Sequence, residues 1–578
     1  MNFFALSGVL IIFSVLQYLS VELAAHSKGA KVKTKYRFTG LPTYMLFNCA
    51  LLLVAGNMVV SVVISSLLTT VLAIANYYVY DMHGTPFTMD IVKNAGTALN
   101  VISAYKIKIS EPVAAAVVSA AVQIVFACGA ERIIFADRRY SAVFTAILIF
   151  AFWKIYLAKN SIVPKEIVTW PWRKIINEAG YISGFVQSTI RLFNIVQPLA
   201  EYSEKETEKF VNNYTMQDKQ CENPDIIFIL NETLYDLNQV ADTGIDSFRY
   251  ISSLKNSVKG YAVCPAVGGG TNKSEYEFLT SNSLYLAPNI TPFYSLDTKN
   301  TNSVAEYLKA KGYSTLATHP APGSNYSRTD GYINLGFDKT CFIEDYTDIT
   351  YFGSRQFATD ESTYRNFIKM YEAMGDNPRF AYLLTIQNHG GYIFNKPSEN
   401  TIAVKKDFGK NTSKVNEFLS CMQLSDKAFE YLIDYFEKSD RDVVVCMVGD
   451  HAPDFAKNIV DKKYSDDEKE ILLRRVPYVI WSNNVDLSNV KIPYQISMPF
   501  MAPAVCNIAG VKPCGYYDYI LKLAEEVPTI TAYGYYTDKN GKIYNVKENN
   551  EYTEAINRYF DFAYSNIIKK DFMADFTQ

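Results

Sequence analysis

Between Arg37 and Asp81 lie 43 residues without a charged side chain. About 20 apolar residues cross the hydrocarbon core of a bilayer, so this stretch holds two spans, with Gly56-Asn57 as the reversal between them. Similar runs occupy residues 1–21, 112–130 and 140–158, the last accommodating Lys154 if its amine reaches the interface. Residues 1–21 carry neither a basic leading segment nor a small-x-small cleavage site, which makes them an anchor rather than a removed signal peptide. Length therefore favours five crossings within residues 1–160. The loop charges argue for four: Lys28, Lys31, Lys33, Lys35 and Arg37 fall in one loop and Arg132, Arg138 and Arg139 in another, and basic loops stay in the cytoplasm. Both counts send everything after residue 160 out of the cytoplasm.

Residues 161–222 are expected to form a juxtamembrane linker with an amphipathic segment. Trp170 and Trp172 suit the membrane interface. From residue 223 the pattern changes to short apolar runs alternating with helical segments. Residues 225–230, 380–386, 443–448 and 476–481 have the continuous apolar character of strands covered on both faces. Residues 303–311 and 426–438 are expected as helices between them. Such alternation implies an α/β domain over residues 223–578 with a mostly parallel central sheet.

A net charge of −3 and a pI near 6.1 supply no basic field for nucleic acid. Nine cysteines without a C-x-x-C pair exclude a zinc-thiolate framework. The spacing leaves open whether Cys506 and Cys514 bridge. The last stretch, residues 525–578, is rich in tyrosine and is expected to complete the domain without carrying chemistry.

Chemistry concentrates where the strands end. The run through Val448 stops at Gly449-Asp450-His451, and the run from Asp225 ends at Asn231-Glu232-Thr233. Ligands bind outside the carboxyl ends of parallel strands, which brings these side chains to one edge. Gly268, Gly269 and Gly270 precede Thr271, Asn272, Ser274 and Glu275. Glycines permit close backbone approach to a ligand, and Thr271 or Asn272 could cap a helix whose amino end favours a phosphate. The spacing is not that of a P-loop. His389 follows the run at 380–386, whereas His26 and His83 lie at membrane edges. Two carboxylates, a hydroxyl and an imidazole from Glu232, Asp450, Thr271 and His451 make an oxygen-rich set suited to Mn²⁺ or Mg²⁺, with Zn²⁺ as a further candidate. Such an ion would also activate Thr271, otherwise a feeble nucleophile.

These motifs, in this order and behind an apolar helical region, resemble the lipoteichoic acid synthase and phosphoglycerol transferase family of the alkaline phosphatase and sulfatase superfamily. The resemblance implies an N-terminal transmembrane helical bundle followed by an alkaline-phosphatase-like domain. It assigns metal binding, usually of manganese, to Glu232, Thr271, Asp450 and His451, and makes Thr271 the nucleophile. It also places Tyr326, Arg328 and His319 on the segment that holds glycerol phosphate, with His389 as a further substrate contact. Arginine grips phosphate in a bidentate fashion and an aromatic face packs on a glycerol chain. Ala321 departs from members with an acidic residue two positions after the histidine of that segment. The C/S-x-P-x-R motif of sulfate hydrolases is missing at Thr271. The implied activity transfers phosphoglycerol from a membrane phospholipid, such as phosphatidylglycerol, to a surface polymer or glycan through a phospho-threonine. Rival readings are a phosphoethanolamine transferase or phosphodiesterase on the same metal site, and a membrane-anchored surface protein that binds without turnover.

Overall fold

The computed structural model describes residues 3–26, 34–83, 86–89, 110–129, 138–158, 160–163, 179–191, 198–216 and 223–578, except 289, 300, 462 and 569, together with the single positions 32, 92 and 196. Lys28, Lys31, Lys33, Arg132, Trp170 and Trp172, on which the loop and interface arguments drew, lie outside the described residues. The chain divides into two compact units, residues 1–95 with 105–195, and residues 96–104 with 196–578.

The first unit is helical. It comprises α1 (Phe3–His26), α2 (Leu41–Ala55), α3 (Met58–His83), α4 (Glu111–Gly129), α5 (Arg138–Phe152) with a π-turn over Trp153–Leu157, and α6 (Tyr181–Arg191). The uncharged stretch is two helices, closed at Gly56, where a φ of 62° favours glycine. Met58–Tyr80 and Glu111–Gly129 are long and apolar enough to cross a membrane, while Gly8–Ala24, Leu41–Ala55 and Thr145–Leu157 are shorter apolar helices. Buried amides and hydroxyls stitch this apolar unit together. Asn48 donates to Ser14 and Gln17, Gln17 donates to Ser65, and Gln123 joins Ser66 to Ser119. The carboxylate of Glu22 accepts the backbone N–H groups of Tyr181 and Ile182, capping α6. Of the segment 161–222, the amphipathic α6 thus packs in the first unit, and α7 (Glu204–Asn212) belongs to the second.

The second unit is built on an eight-stranded sheet in the order β4-β3-β5-β1-β6-β7-β2-β8. Its strands are β1 (Asp225–Asn231), β2 (Ser257–Val263), β3 (Ser314–Thr318), β4 (Lys339–Cys341), β5 (Arg379–Leu384), β6 (Val443–Gly449), β7 (Arg475–Ser482) and β8 (Gln495–Ser497). All pairings are parallel except those of β7 with β6 and β2. Strands β1, β5 and β6 are buried at every position, which explains why they read as unbroken apolar runs rather than alternating ones. On one face Phe228 of β1 stacks on Phe278 of α8 (Thr271–Thr280). The other face carries α9 (Asp360–Glu372) and α10 (Thr412–Phe436), and Tyr364 of α9 reaches Met447 of β6.

The helix expected over 426–438 begins 14 residues earlier, at Thr412. Its first half buries Phe418, Leu419 and Met422 on the period of a helix, but Asn411, Thr412 and Ser413 gave the run an undecided start. The helix expected over 303–311 spans Val304–Ala310, with Ser303 as its cap. Residues 529–545 form a small antiparallel sheet and Thr553–Ile567 a helix. Cys506 and Cys514 are free, buried thiols.

Candidate active site

Register decides where the site falls. Asn231 of β1 pairs with Gly449 of β6, so Glu232 and Asp450 are each the first residue past neighbouring strand ends. The glycine loop reaches the same edge. Val267 bridges Ala452, Gly268 N–H donates to Ala452 O at 2.9 Å, and Ser274 Oγ donates to the Asp450 carbonyl at 2.6 Å. Gly268, Gly269 and Gly270 have φ of 73°, 137° and 95°, a run that residues with a Cβ rarely adopt. A Cβ on Gly268 would also stand 3.0 Å from Asp454 Cα. Gly270 is the helix cap and makes no side-chain bond, and Thr271 is the first helical residue. The expectation that Thr271 or Asn272 caps the helix is therefore corrected, and the Thr271 hydroxyl is directed elsewhere.

That hydroxyl lies 3.4 Å from Glu232 Oε2 and 3.5 Å from His451 Nε2. Ligand atoms of Glu232, Asp450 and His451, all three residues buried, lie within 4.8 Å of one another. The four residues separated by more than two hundred positions in sequence thus converge. His451 Nδ1 sits 3.0 Å from the Ala452 carbonyl, which can only accept, so Nδ1 carries the hydrogen. Nε2 then turns its lone pair toward Asp450 Oδ2 at 3.2 Å and Glu232 Oε1 at 3.7 Å. Asp450 Oδ2 is buried and finds no hydrogen-bond donor. A lone pair and carboxylate oxygens converge in this way around a cation, so the residues fit a divalent ion. Burial raises the Asp450 carboxyl above its ordinary range, with the charge of Glu232 acting in the same direction and His451 opposing.

The shell beneath these side chains is polar and closed. Asn231, next to Glu232, and Asn388, next to His389, are bonded at 3.0 Å; Asn231 also donates to Asp360 and Asn388 to Ser425, which in turn donates to Asp360. Burial pushes the Asp360 carboxyl up to about 6. Arg355, 1 % exposed, pairs with Glu417 at 2.5 Å and donates to the carbonyls of Gln387 and His389, which fixes the His389 loop. The His389 ring packs on Phe357 and its buried Nδ1 has no hydrogen-bond partner. Burial lowers its pKa, with the charge of Glu232 opposing. Sequence reasoning gave no role to Asn231 and Asn388 and missed Asp360 and Arg355. The matching positions of the two asparagines, each just before a site residue, were the available signal, whereas Arg355 sits in a loop without one.

The substrate residues expected from sequence lie together. His319 follows β3 and donates Nδ1–H to the Leu384 carbonyl at 3.0 Å. Burial holds its pKa well below the usual range, aided by the charges of Arg328 and His389. Tyr326 and Ser327 occupy left-handed backbone at φ 56° and 55°, strained for residues with side chains and frequent at ligand sites. The Arg328 guanidinium lies 5.0 Å from the Tyr326 ring centre. It is not a lone charge: Nε and Nη2 donate to both oxygens of Glu275, at 2.9 and 2.7 Å for the shorter bonds.

Residues 224–511 match the family model described as Sulfatase. Among curated proteins, a putative cyclic beta-1,2-glucan modification protein of Rhizobium meliloti is 26% identical over 332 residues, 55% of this chain and 50% of that protein. Lipoteichoic acid synthase 2 of Bacillus subtilis is 24% identical over 322 residues, 52% of this chain and 48% of that protein. The chain spans about half the length of the curated relatives it matches. Among solved structures, the Streptococcus pyogenes phosphoglycerol transferase GacH in complex with sn-glycerol-1-phosphate superposes with a TM-score of 0.53 and 19% identity, over 66% of this chain and 99% of that one. That likeness is one of fold.

Proposed function

We propose that this chain, whose residues 224–511 match the Sulfatase family model, is a membrane-anchored phosphoglycerol transferase. Its donor would be a phospholipid such as phosphatidylglycerol, and its acceptor a surface polymer or glycan. The observation that carries the reading is the Thr271 hydroxyl, set at a helix amino end within 3.5 Å of Glu232 and His451. Helices Met58–Tyr80 and Glu111–Gly129 support an anchor in the bilayer where the donor resides. The basic loops support a location outside the cytoplasm for the domain after residue 160.

Glu232, Asp450, His451 and Thr271 would hold the ion, and a donor set dominated by oxygen favours Mn²⁺ over softer choices. When bound, a divalent ion lowers the pKa of the threonine hydroxyl and offsets phosphate charge. Thr271 Oγ attacks the donor phosphorus, an Oγ–P bond forms, the bond to the diacylglycerol oxygen breaks, and the proton given up by the threonine hydroxyl ends on that leaving oxygen. His389, kept neutral by burial, orients that leaving oxygen with an N–H rather than as an imidazolium. The acceptor hydroxyl then attacks the same phosphorus, its O–P bond forms as the Oγ–P bond breaks, and its proton returns Thr271 to the free hydroxyl. Arg328 and Tyr326 hold the glycerol phosphate through a fixed guanidinium and an aromatic face.

The test is incubation of the full chain in detergent with headgroup-labelled phosphatidylglycerol and Mn²⁺, followed by mapping of the label. Label on Thr271 together with released diacylglycerol is the expected result. Label from phosphatidylethanolamine in its place would move the protein to the phosphoethanolamine transferases. Absence of metal binding together with absence of turnover would leave only the surface-binding reading.

A further inference from the structure

Thr271 and Glu275 lie four residues apart on α8, so they project from one face of the helix. Glu275 is fully buried and accepts hydrogen bonds from Arg328 Nε, Arg328 Nη2 and Tyr332 Oη, the last at 2.5 Å. Arg328 is itself 3 % exposed. Its guanidinium is therefore held on one edge by a bidentate carboxylate and flanked by the Tyr326 ring, at the end of two residues with strained backbone. Little remains for the guanidinium to choose: its plane and direction are set by the helix that carries the nucleophile.

We propose that Glu275 is a positioning and specificity-determining residue, which aims Arg328 toward Thr271 and cancels its charge so that the donor pocket favours a singly charged phosphodiester over a doubly charged phosphomonoester. The inference rests on the reading of Arg328 as the donor-phosphate contact. A guanidinium without a buried counter-charge would add one full positive charge beside the phosphate and favour the dianion. A buried ion pair adds the donor geometry of arginine without the net charge. A lipid phosphodiester carries one negative charge, whereas the free glycerol phosphate left after hydrolysis carries close to two at pH 8. Charge matching would thus favour the donor lipid over a stray monoester.

The experiment compares dissociation constants of dimethyl phosphate and methyl phosphate for the full-length, Mn²⁺-loaded protein at pH 8 by calorimetry. Glu275→Gln should shift the ratio toward methyl phosphate by at least about tenfold, since one unit of charge a few ångströms away is worth that much even at an effective dielectric of about 20. Glu275→Asp keeps the charge and should keep the wild-type ratio while weakening both ligands. The double variant Glu275→Gln, Arg328→Gln leaves no buried charge and remains informative where the single variant does not fold. It should also keep the wild-type ratio to within about threefold, because the net charge of the pair is unchanged. An unchanged ratio in folded Glu275→Gln, or a tenfold loss of methyl phosphate binding relative to dimethyl phosphate in the double variant, overturns the proposal. Failure of wild-type protein to transfer from phosphatidylglycerol, with the ratio shift intact, would instead overturn the functional reading alone.

Discussion

His451 Nε2 lies 3.2 Å from Asp450 Oδ2, an oxygen with no hydrogen-bond donor. With the Nδ1 hydrogen already given to Ala452, this contact is repulsive unless a proton or a metal ion lies between. Metal should therefore stabilise the fold as well as serve the reaction. Saturation at a hundred times the dissociation constant contributes about 2.7 kcal/mol. Scanning calorimetry of chelator-treated protein should show a thermal midpoint lower by several degrees, restored by Mn²⁺. Asp450→Asn should abolish the metal-dependent rise. A midpoint indifferent to both chelator and Mn²⁺ would remove the ion from the site.

Thr271 does not cap its helix, and its hydroxyl makes only long contacts of 3.4 and 3.5 Å to Glu232 and His451. Thr271→Ala should leave the thermal midpoint within about 1 kcal/mol of wild type in stability while reducing diacylglycerol release by at least about a thousandfold. Thr271→Ser keeps a hydroxyl and should retain a measurable fraction. Both can be read from the same lipid assay. Release by the alanine variant at the wild-type rate would mean another group attacks phosphorus.

Gly268 approaches Asp454 Cα where a Cβ would stand 3.0 Å away, at a φ of 73°. Gly268→Ala should cost on the order of 1–3 kcal/mol, from left-handed strain and displacement of the segment after His451. Urea denaturation measures the cost. Because this contact ties the glycine loop before Thr271 to the segment after His451, metal affinity should fall with stability.

The central strands were legible because burial on both faces leaves unbroken apolar runs, and the site was legible because Glu232, Asp450 and His451 stand where those runs stop. The pairing of Arg328 with Glu275 was not, since nothing in a string of letters says which of two motif residues meets a guanidinium 53 positions away. Asp360 was hidden for the same reason: its partners Asn231 and Ser425 come from β1 and α10, 129 and 65 positions away. The late start predicted for the helix at Thr412 had a local cause, the polar residues of its first turn.

Arg355 and Glu417 form an ion pair in which both side chains are 1 % exposed. Removing one member strands the other charge, so Glu417→Ala should cost about 3–5 kcal/mol. The freed Arg355 also loses its hold on the Gln387 and His389 carbonyls, so transfer should fall beyond what the folded fraction explains. Guanidinium denaturation and activity per folded molecule separate the two effects. Replacing both residues by well-packed apolar side chains should recover stability without recovering activity.

Glu277 lies on the same helix as Thr271 and outside the site, accepting the Leu284 N–H at 2.8 Å. Burial pushes its carboxyl up to about 8, with that hydrogen bond opposing. In the unfolded chain the group ionises near 4.3. Between these values the unfolded state gives up its proton while the folded state keeps it. The contribution to stability is thus fully present below about pH 4 and is lost as pH rises through 8. Glu277→Gln keeps an acceptor for Leu284 and removes the titration. Its thermal midpoint should match wild type near pH 4.5 and exceed it increasingly toward pH 8, by a few kcal/mol in stability. Parallel midpoint curves for the two proteins from pH 4.5 to 8 would show that Glu277 does not titrate there.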